Sequence, residues 1–216
     1  MTTWRNTLAA LSMGLLMHTA ALADGVTIGG DEPLDPKPKE WNGCVLGPKA
    51  QCRGADLRHA PLHDIDLSGA DFRDAQMARV DLRHANLQGA DLSGADLDGA
   101  DLRLAFMQGA RLSKARMRGA QLTFARASGA HFDDADLTAA SLEMCWLNKA
   151  DLGKAILRNA NLQEAKLGNA NLADADMQGA LLRYTVFNDT VIKGCKGCPA
   201  DAQKASPGGV SPLVVE

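Results

Sequence analysis

A five-residue repeat runs without interruption from Ala50 to Gly194 and determines the fold class of most of the chain. These 145 residues form 29 units in one register, and each unit follows the pattern Ala-Asp-Leu-x-x. Alanine holds the first position in 24 units and leucine holds the third in 19; phenylalanine, methionine or isoleucine holds the third in eight more. Self-similarity at a fixed period is typical of a solenoid, in which stacked repeats bury a continuous core.

A period of five matches neither the helical period of about 3.6 residues nor the strand period of about 2. It fits a short extended segment followed by a bend, in which positions 1 and 3 point inward and position 2 points outward. Position 2 is aspartate or asparagine in 13 units. Glycine ends ten units and asparagine or aspartate ends seven, and these residues tolerate positive φ or bond to their own turn. The bends wind the chain into a coil, and successive coils stack by parallel pairing.

This repeat resembles the A(D/N)LXX repeat of the pentapeptide-repeat family, as in Ala90-Asp91-Leu92 and Ala160-Asn161-Leu162. The resemblance covers about two-thirds of the chain. It implies an all-β fold, a right-handed quadrilateral parallel β-helix with four units per coil and therefore about seven coils. At the parallel strand spacing of about 4.8 Å, such a rod is roughly 35 Å long.

The first 23 residues have the features of a secretory signal peptide. Arg5 supplies the positive start, an apolar run follows from Leu8 to Met17, and Ala21-Leu22-Ala23 is a small-residue cleavage site. We therefore expect cleavage after Ala23 and a periplasmic or secreted bacterial protein. No later stretch is long and apolar enough for a membrane span.

The chain is thus expected to have four segments. Trp41 and Val45 are candidates to cover the first coil. The segments are a signal peptide (1–23), an irregular leader and N-terminal cap (24–49), the pentapeptide-repeat β-helix (50–194), and a CxxC segment with a flexible tail (195–216).

Five cysteines in an exported protein suggest disulfides. Cys44 and Cys52 flank the start of the solenoid, and a bridge between them would close the N-terminal cap. Cys195 and Cys198 lie at the far end, so the two pairs cannot share one zinc ion. A local disulfide between Cys195 and Cys198 is the preferred interpretation; a redox pair or a partial metal site stays open. Cys145 replaces an inward alanine and is expected to be a buried free thiol.

With four units per coil, outward residues 20 positions apart stack in columns, and two neighbouring columns become apolar in the middle coils. Arg126 falls between Phe106 and Trp146, which suits cation–π stacking. A contiguous apolar patch on a polar surface indicates something that covers it, either a protein partner or the chain's own leader or tail. The predicted protein-binding patch is Leu104, Phe106, Phe124, Arg126, Met144 and Trp146.

The last units are unusually apolar at outward and bend positions. A solenoid needs caps because its end coils have unpaired edges, and proteins similar to this one in the family often pair end to end. We therefore expect a homodimer through the C-terminal coil, or a CxxC segment that folds over the end. The predicted dimer seam is Leu181, Tyr184, Val186 and Val191.

Charge and motifs limit the function classes. The repeats carry 17 basic and 19 acidic residues, and removal of Arg5 leaves a net charge of −4. Such a rod has no basic footprint for nucleic acid. We find no Ser-His-Asp arrangement, no phosphate loop and no paired buried carboxylates, and so expect no enzyme, no cofactor and no metal site.

The leading prediction is a non-enzymatic protein-binding or scaffold module of the periplasm or extracellular space, with an unidentified protein partner. One alternative is a thiol redox or metal-handling protein that uses the C-terminal CxxC. Another is a DNA-mimicking, gyrase-binding pentapeptide protein, but the resemblance implies a strongly acidic rod for that class. The export signal and the near-neutral repeats of this chain disfavour it.

Overall fold

The computed structural model describes residues 39–199 and 214–215. The predicted signal peptide (1–23), residues 24–38 of the leader, and residues 200–213 and 216 of the tail lie outside the described residues. Within the described part of the chain, no helix has the length and apolar character needed to cross a membrane.

The repeats form the predicted right-handed quadrilateral β-helix. Each outward residue at position 2 pairs in parallel with the residue 20 positions later, from Gln51 with Asp71 at the start to Asp176 with Lys196 at the end. Four such columns run along the rod and define its four faces. Backbone hydrogen bonds join every coil to the next, as from Asp91 N–H to the carbonyl of Ala70 at 2.8 Å. The sequence prediction of fold class is confirmed.

The core is a column of alternating small and large side chains. Inward alanines and leucines of the middle coils, such as Ala110 and Leu112, have no exposed surface. Burial of each leucine contributes about 1.5–3 kcal/mol. Three phenylalanines, Phe72, Phe132 and Phe187, fill the same inward position that leucine usually holds. Within the described residues, no aspartate, glutamate, lysine or arginine side chain lies in this column; Thr185, Thr190 and the free thiol of Cys145 hold inward positions.

The bend has one geometry throughout. Position 5 has positive φ in all 29 units, between +51° and +75°, whether or not the residue is glycine. Position 2 stabilises the same bend: in all 13 units with aspartate or asparagine there, the side-chain oxygen accepts the backbone N–H of position 4. The outward acidic residues of the repeat are therefore turn caps.

A β-hairpin precedes the first coil, within the segment predicted to be irregular. Strand β1 (Lys39–Trp41) pairs antiparallel with strand β2 (Cys44–Leu46). Asn42 and Gly43 connect them with φ values of +47° and +78°, as a type I′ turn requires. Asn-Gly is a strong hairpin signal, and the sequence analysis overlooked it.

The hairpin closes the N-terminal end of the core. Cys44 and Leu46 are buried, and Trp41 packs partly buried against the core. Val45 points outward and is exposed, so the expectation that it covers the first coil is wrong. A disulfide between Cys44 and Cys52, with a Cα–Cα distance of 5.5 Å, joins the hairpin to the first coil.

The C-terminal end closes differently. Strand β3 (Thr185–Val186) pairs on one side with the coil before it, through Lys166, and on the other with strand β4 (Val214–Val215), which runs antiparallel to it. Part of the tail predicted to be flexible is thus a strand that covers the open edge of one face. Thr185, at an inward position, is fully buried, and its hydroxyl donates to the Leu162 carbonyl at 2.7 Å.

Candidate protein-binding surface

One face of the rod carries a ladder of alternating rings and cations, here called the aromatic ladder: Phe106, Arg126, Trp146 and Lys166. Each residue is paired in parallel with the next across one coil. The guanidinium carbon of Arg126 lies 5.1 Å from the Phe106 ring centroid and 5.5 Å from that of Trp146. The Lys166 ammonium lies 4.8 Å from the Trp146 ring. All three contacts are within cation–π range.

A second row of large apolar side chains runs beside the ladder at the preceding bends. Leu104 is 42% exposed and Phe124 is 49% exposed, next to Trp146 at 44%. Met144 stands in the same row, half-buried. The structure therefore brings all six residues of the predicted patch together on one surface. With Lys166 they form the docking surface: Leu104, Phe106, Phe124, Arg126, Met144, Trp146 and Lys166.

The large residues of this row hold the bend position of the repeat, and their side chains lie on the surface of the rod. Leu104, Phe124 and Met144 have φ values of +61°, +61° and +53°. This region costs an ordinary residue about 1–2 kcal/mol, whereas glycine adopts it freely. A bulky residue there loses stability and contributes nothing to the core of the rod. Positive φ occurs at this position in every unit of the rod, so the size and exposure of these side chains, and not their φ, distinguish the row.

The cations of the docking surface differ from most arginines of the rod in having no acidic partner. Arg83, for example, donates from Nη2 to Asp81 Oδ2 at 2.8 Å, and this hydrogen bond lowers the pKa of the Asp81 carboxyl to about 2. Arg126 and Lys166 form no ion pair within residues 39–199. Of these two positive charges without an ion pair, Arg126 lies between the half-buried Phe106 ring and the exposed Trp146 ring, and Lys166 lies on the other side of Trp146.

Two shallow grooves adjoin the docking surface and meet at His84. Their volumes are about 340 and 320 Å³. The larger groove is lined by Arg83, His84, Arg103, Leu104, Thr123 and Phe124. The smaller is lined by Asp64, Ile65, Asp66, His84, Asn86, Gln88 and Phe106. Side chains of a bound segment could enter both grooves without any change in the coil.

A sequence model of pentapeptide repeats matches the chain in eight copies, at residues 50–89, 75–113, 115–153 and 155–196. The protein belongs to the pentapeptide-repeat family. No curated protein matches the sequence.

Several solved structures of pentapeptide-repeat proteins resemble this one. HetL, involved in heterocyst differentiation regulation in the cyanobacterium Nostoc sp. strain PCC 7120, is 27% identical; the match covers 68% of this chain and 78% of HetL, with a TM-score of 0.44. A protein from the Arabidopsis thaliana thylakoid lumen is 33% identical, over 49% of this chain and 70% of its own, with a TM-score of 0.31. QnrB1, a plasmid-mediated fluoroquinolone resistance protein, is 18% identical, over 72% and 93%, with a TM-score of 0.34. These likenesses transfer no partner to this protein.

The last coil of this pentapeptide-repeat protein exposes most of the predicted dimer seam. Leu181, Tyr184 and Val191 are exposed, and Val186 is half-buried beside β4. Within the described residues, Leu181 and Val191 end their columns without a further parallel partner. The tail strand covers the edge at Val186, and no residue of 39–199 or 214–215 covers the edges at Leu181 and Val191.

The C-terminal cysteines close the last coil of the pentapeptide-repeat rod. Cys195 and Cys198 form a disulfide with a Cα–Cα distance of 5.8 Å, and Cys198 Sγ contacts Met177 Sδ at 3.3 Å. Within the described residues, no helix begins at this motif. In redox CxxC proteins, a helix N-terminus lowers the pKa of the thiol. Cys145 is a buried free thiol, and burial raises its pKa to about 12.

Sequence reasoning left Lys166 out of the predicted patch. It stands 20 residues after Trp146, so the same spacing that placed Arg126 between two rings also places Lys166 over the second ring. The predicted patch was chosen mainly for its apolar residues and therefore did not include Lys166. The aromatic ladder therefore contains two cations, Arg126 and Lys166, whereas the predicted patch contains only Arg126.

Proposed function

We propose that the protein is a non-enzymatic binding or scaffold module and that its partner docks on the docking surface. The observation that carries this proposal is the aromatic ladder, in which two rings alternate with two cations that form no ion pair within residues 39–199. Tryptophan, phenylalanine, methionine and arginine are the residue types enriched in protein interfaces. The exposed apolar side chains of Leu104 and Phe124 beside the ladder support the same conclusion.

Charge complementarity indicates the chemistry of the partner. A segment that places apolar side chains on Phe124 and Trp146, and carboxylates next to Arg126 and Lys166, would satisfy both features of the surface. We therefore propose a protein partner with an exposed acidic and apolar segment. The near-neutral rod, in which aspartates are paired with arginines such as Arg83 or cap their own turns, gives no support to mimicry of DNA.

Phe124→Glu should abolish capture of the partner while the solenoid stays folded. Glutamate fits this bend, because Glu164 holds the same position two coils later with φ of +57°. The matched control is Ala139→Glu, which adds the same charge at the same bend position on another face. Quantitative affinity capture from periplasmic extract should recover one protein with wild type and with Ala139→Glu. The amount of this protein recovered with Phe124→Glu should be at least ten-fold lower.

A second variant separates binding from stability. Phe124→Gly places the preferred residue at a positive φ, so the free energy of unfolding should stay within about 1 kcal/mol of wild type. Loss of capture in this stable variant would support the docking surface. If Phe124→Gly and Phe124→Glu both capture every protein that wild type captures, the proposed function is wrong.

We also propose that two copies associate end to end through Leu181, Tyr184, Val186 and Val191. The exposed apolar side chains of Leu181, Tyr184 and Val191 on the last coil support this, since contiguous apolar surface indicates a contact with another molecule. Light scattering should give twice the chain mass for wild type and the chain mass for Leu181→Lys. A wild-type protein that stays monomeric at millimolar concentration contradicts the dimer.

Finally, we propose that the protein acts in the periplasm or outside the cell. The predicted signal peptide and the two disulfides support this location. Mass spectrometry of protein from the periplasm should find a chain that begins at Asp24. Recovery of a chain that retains residues 1–23, confined to the cytoplasm, would exclude it.

A further inference from the structure

Three side chains with metal-binding groups converge on the face that follows the docking surface along the chain. His131 pairs with Asp151 across one coil, and Asp133 lies two residues after His131. A ring nitrogen of His131 and one carboxylate oxygen each from Asp133 and Asp151 all lie within 4.8 Å of one another. The rigid spacing of the coils therefore holds one imidazole and two carboxylates together.

Neighbouring groups position both carboxylates and leave one oxygen of each free. The Ser113 hydroxyl donates to Asp133 Oδ1 at 2.7 Å. The Gly153 N–H and the Asn171 amide donate to Asp151 Oδ1 at 3.0 and 2.9 Å. Within residues 39–199, Oδ2 of either aspartate has no hydrogen bond or ion pair. Support of this kind is what orients the ligands of a metal site.

The charges around the cluster are of both signs: Asp134 follows Asp133 in the chain, and Lys114 and Lys154 hold the same bend position one coil before and after Asp134. Arg111 precedes His131 in the same column, but its guanidinium lies 4.0 Å from Asp91 on the far side and forms no ion pair with the cluster. Gly153 follows Asp133 in the neighbouring column and adds no side chain between the carboxylates. Two aspartates thus share a small surface without the arginine partner that Asp81 or Asp101 has.

We propose that His131, Asp133 and Asp151 bind one divalent transition-metal ion, with Zn²⁺ as the reference ion. Ligand atoms about 2.1 Å from a tetrahedral zinc lie about 3.4 Å apart. Rotation of these three partly exposed side chains closes the remaining distance, and the coils need not move. Imidazole with carboxylate suits zinc and its neighbours in the first transition row. Three protein ligands leave a fourth position for water or for a donor from another molecule.

The test uses the untagged mature protein with both disulfides intact and Zn²⁺ alone as the probe. Isothermal titration should give one site per chain, and the thermal midpoint should rise with Zn²⁺ concentration because the ion binds the folded state. His131→Asn and Asp151→Asn should each weaken binding at least ten-fold. Both variants should fold, because asparagine already holds this repeat position at Asn161 and Asn171.

The control variant is His84→Asn, which removes another exposed histidine at a bend where asparagine is tolerated, as at Asn159. It should bind Zn²⁺ as wild type does. Equal loss of affinity in His84→Asn and His131→Asn would show unspecific surface binding and overturn the site. Absence of saturable binding in wild type would overturn it as well.

Discussion

Phe132→Ala is expected to lower the free energy of unfolding by about 3–5 kcal/mol. The ring is fully buried in the middle of the core column. Backbone hydrogen bonds tie its coil to both neighbours, including Phe132 N–H to the Asp151 carbonyl at 2.6 Å. Because backbone hydrogen bonds on both sides hold the coil in place, the surrounding structure cannot collapse into the space that the ring leaves. Urea denaturation followed by circular dichroism measures the loss.

Phe124→Ala is the matched control, since it removes the same side chain from the surface of the rod two units earlier. Half of the Phe124 ring is already exposed, and Ala139 shows that alanine is tolerated at this bend position, with φ of +56°. Its free energy of unfolding should stay within about 0.5 kcal/mol of wild type. Equal destabilisation by the two variants would contradict the assignment of Phe132 to the core.

The second large effect is expected from the double variant Cys44→Ser, Cys52→Ser. The disulfide closes a short loop, with a sequence separation of 8 residues, and its removal should cost about 2–3 kcal/mol through the entropy of the unfolded chain. The loss should be local, because the bridge attaches the hairpin to the first coil. Hydrogen exchange should therefore speed up in residues 39–70 and stay unchanged in the middle coils.

The corresponding variant at the other end, Cys195→Ser with Cys198→Ser, serves as the control. Its effect on exchange should appear in the last coil and leave the hairpin protected. If the Cys44→Ser, Cys52→Ser variant is as stable as wild type, with unchanged exchange at the first coil, the hairpin is held by packing alone.

The repeat made most of the fold and much of the docking surface predictable. Once the coil contains 20 residues, every outward position has a known neighbour, and the stacking of Arg126 between Phe106 and Trp146 follows from residue numbers alone. The left-handed bend at position 5 was equally readable from its glycine, asparagine and aspartate residues. In a solenoid, the position of each side chain depends on its near neighbours, so local spacing carries three-dimensional information.

The ends of the rod were predicted less well, for two different reasons. The hairpin had a local signal, Asn42-Gly43, that the analysis of the leader overlooked. Strand β4 had no local sequence signal. Its pairing with Thr185–Val186 joins segments far apart in the chain, and it depends on an edge that exists only after the last coil has formed. The 20-residue spacing already placed His131 beside Asp151, but the hydrogen bonds that leave Oδ2 of Asp133 and of Asp151 free were visible only in the structure.

The sequence by itself therefore determined the coil, its core and the inward or outward direction of each position, because a strict period of five leaves each residue only one place in the repeat. The four faces, and with them the columns of side chains 20 residues apart, came from the resemblance to the pentapeptide-repeat family. Only the tertiary structure decided how the open edges are covered and which outward side chains remain unpaired. The strand at Val214–Val215 pairs with a segment to which no period relates it. The ion-pair and hydrogen-bond partners of outward side chains, as at Lys166 and His131, depend on side-chain conformations that the period does not specify.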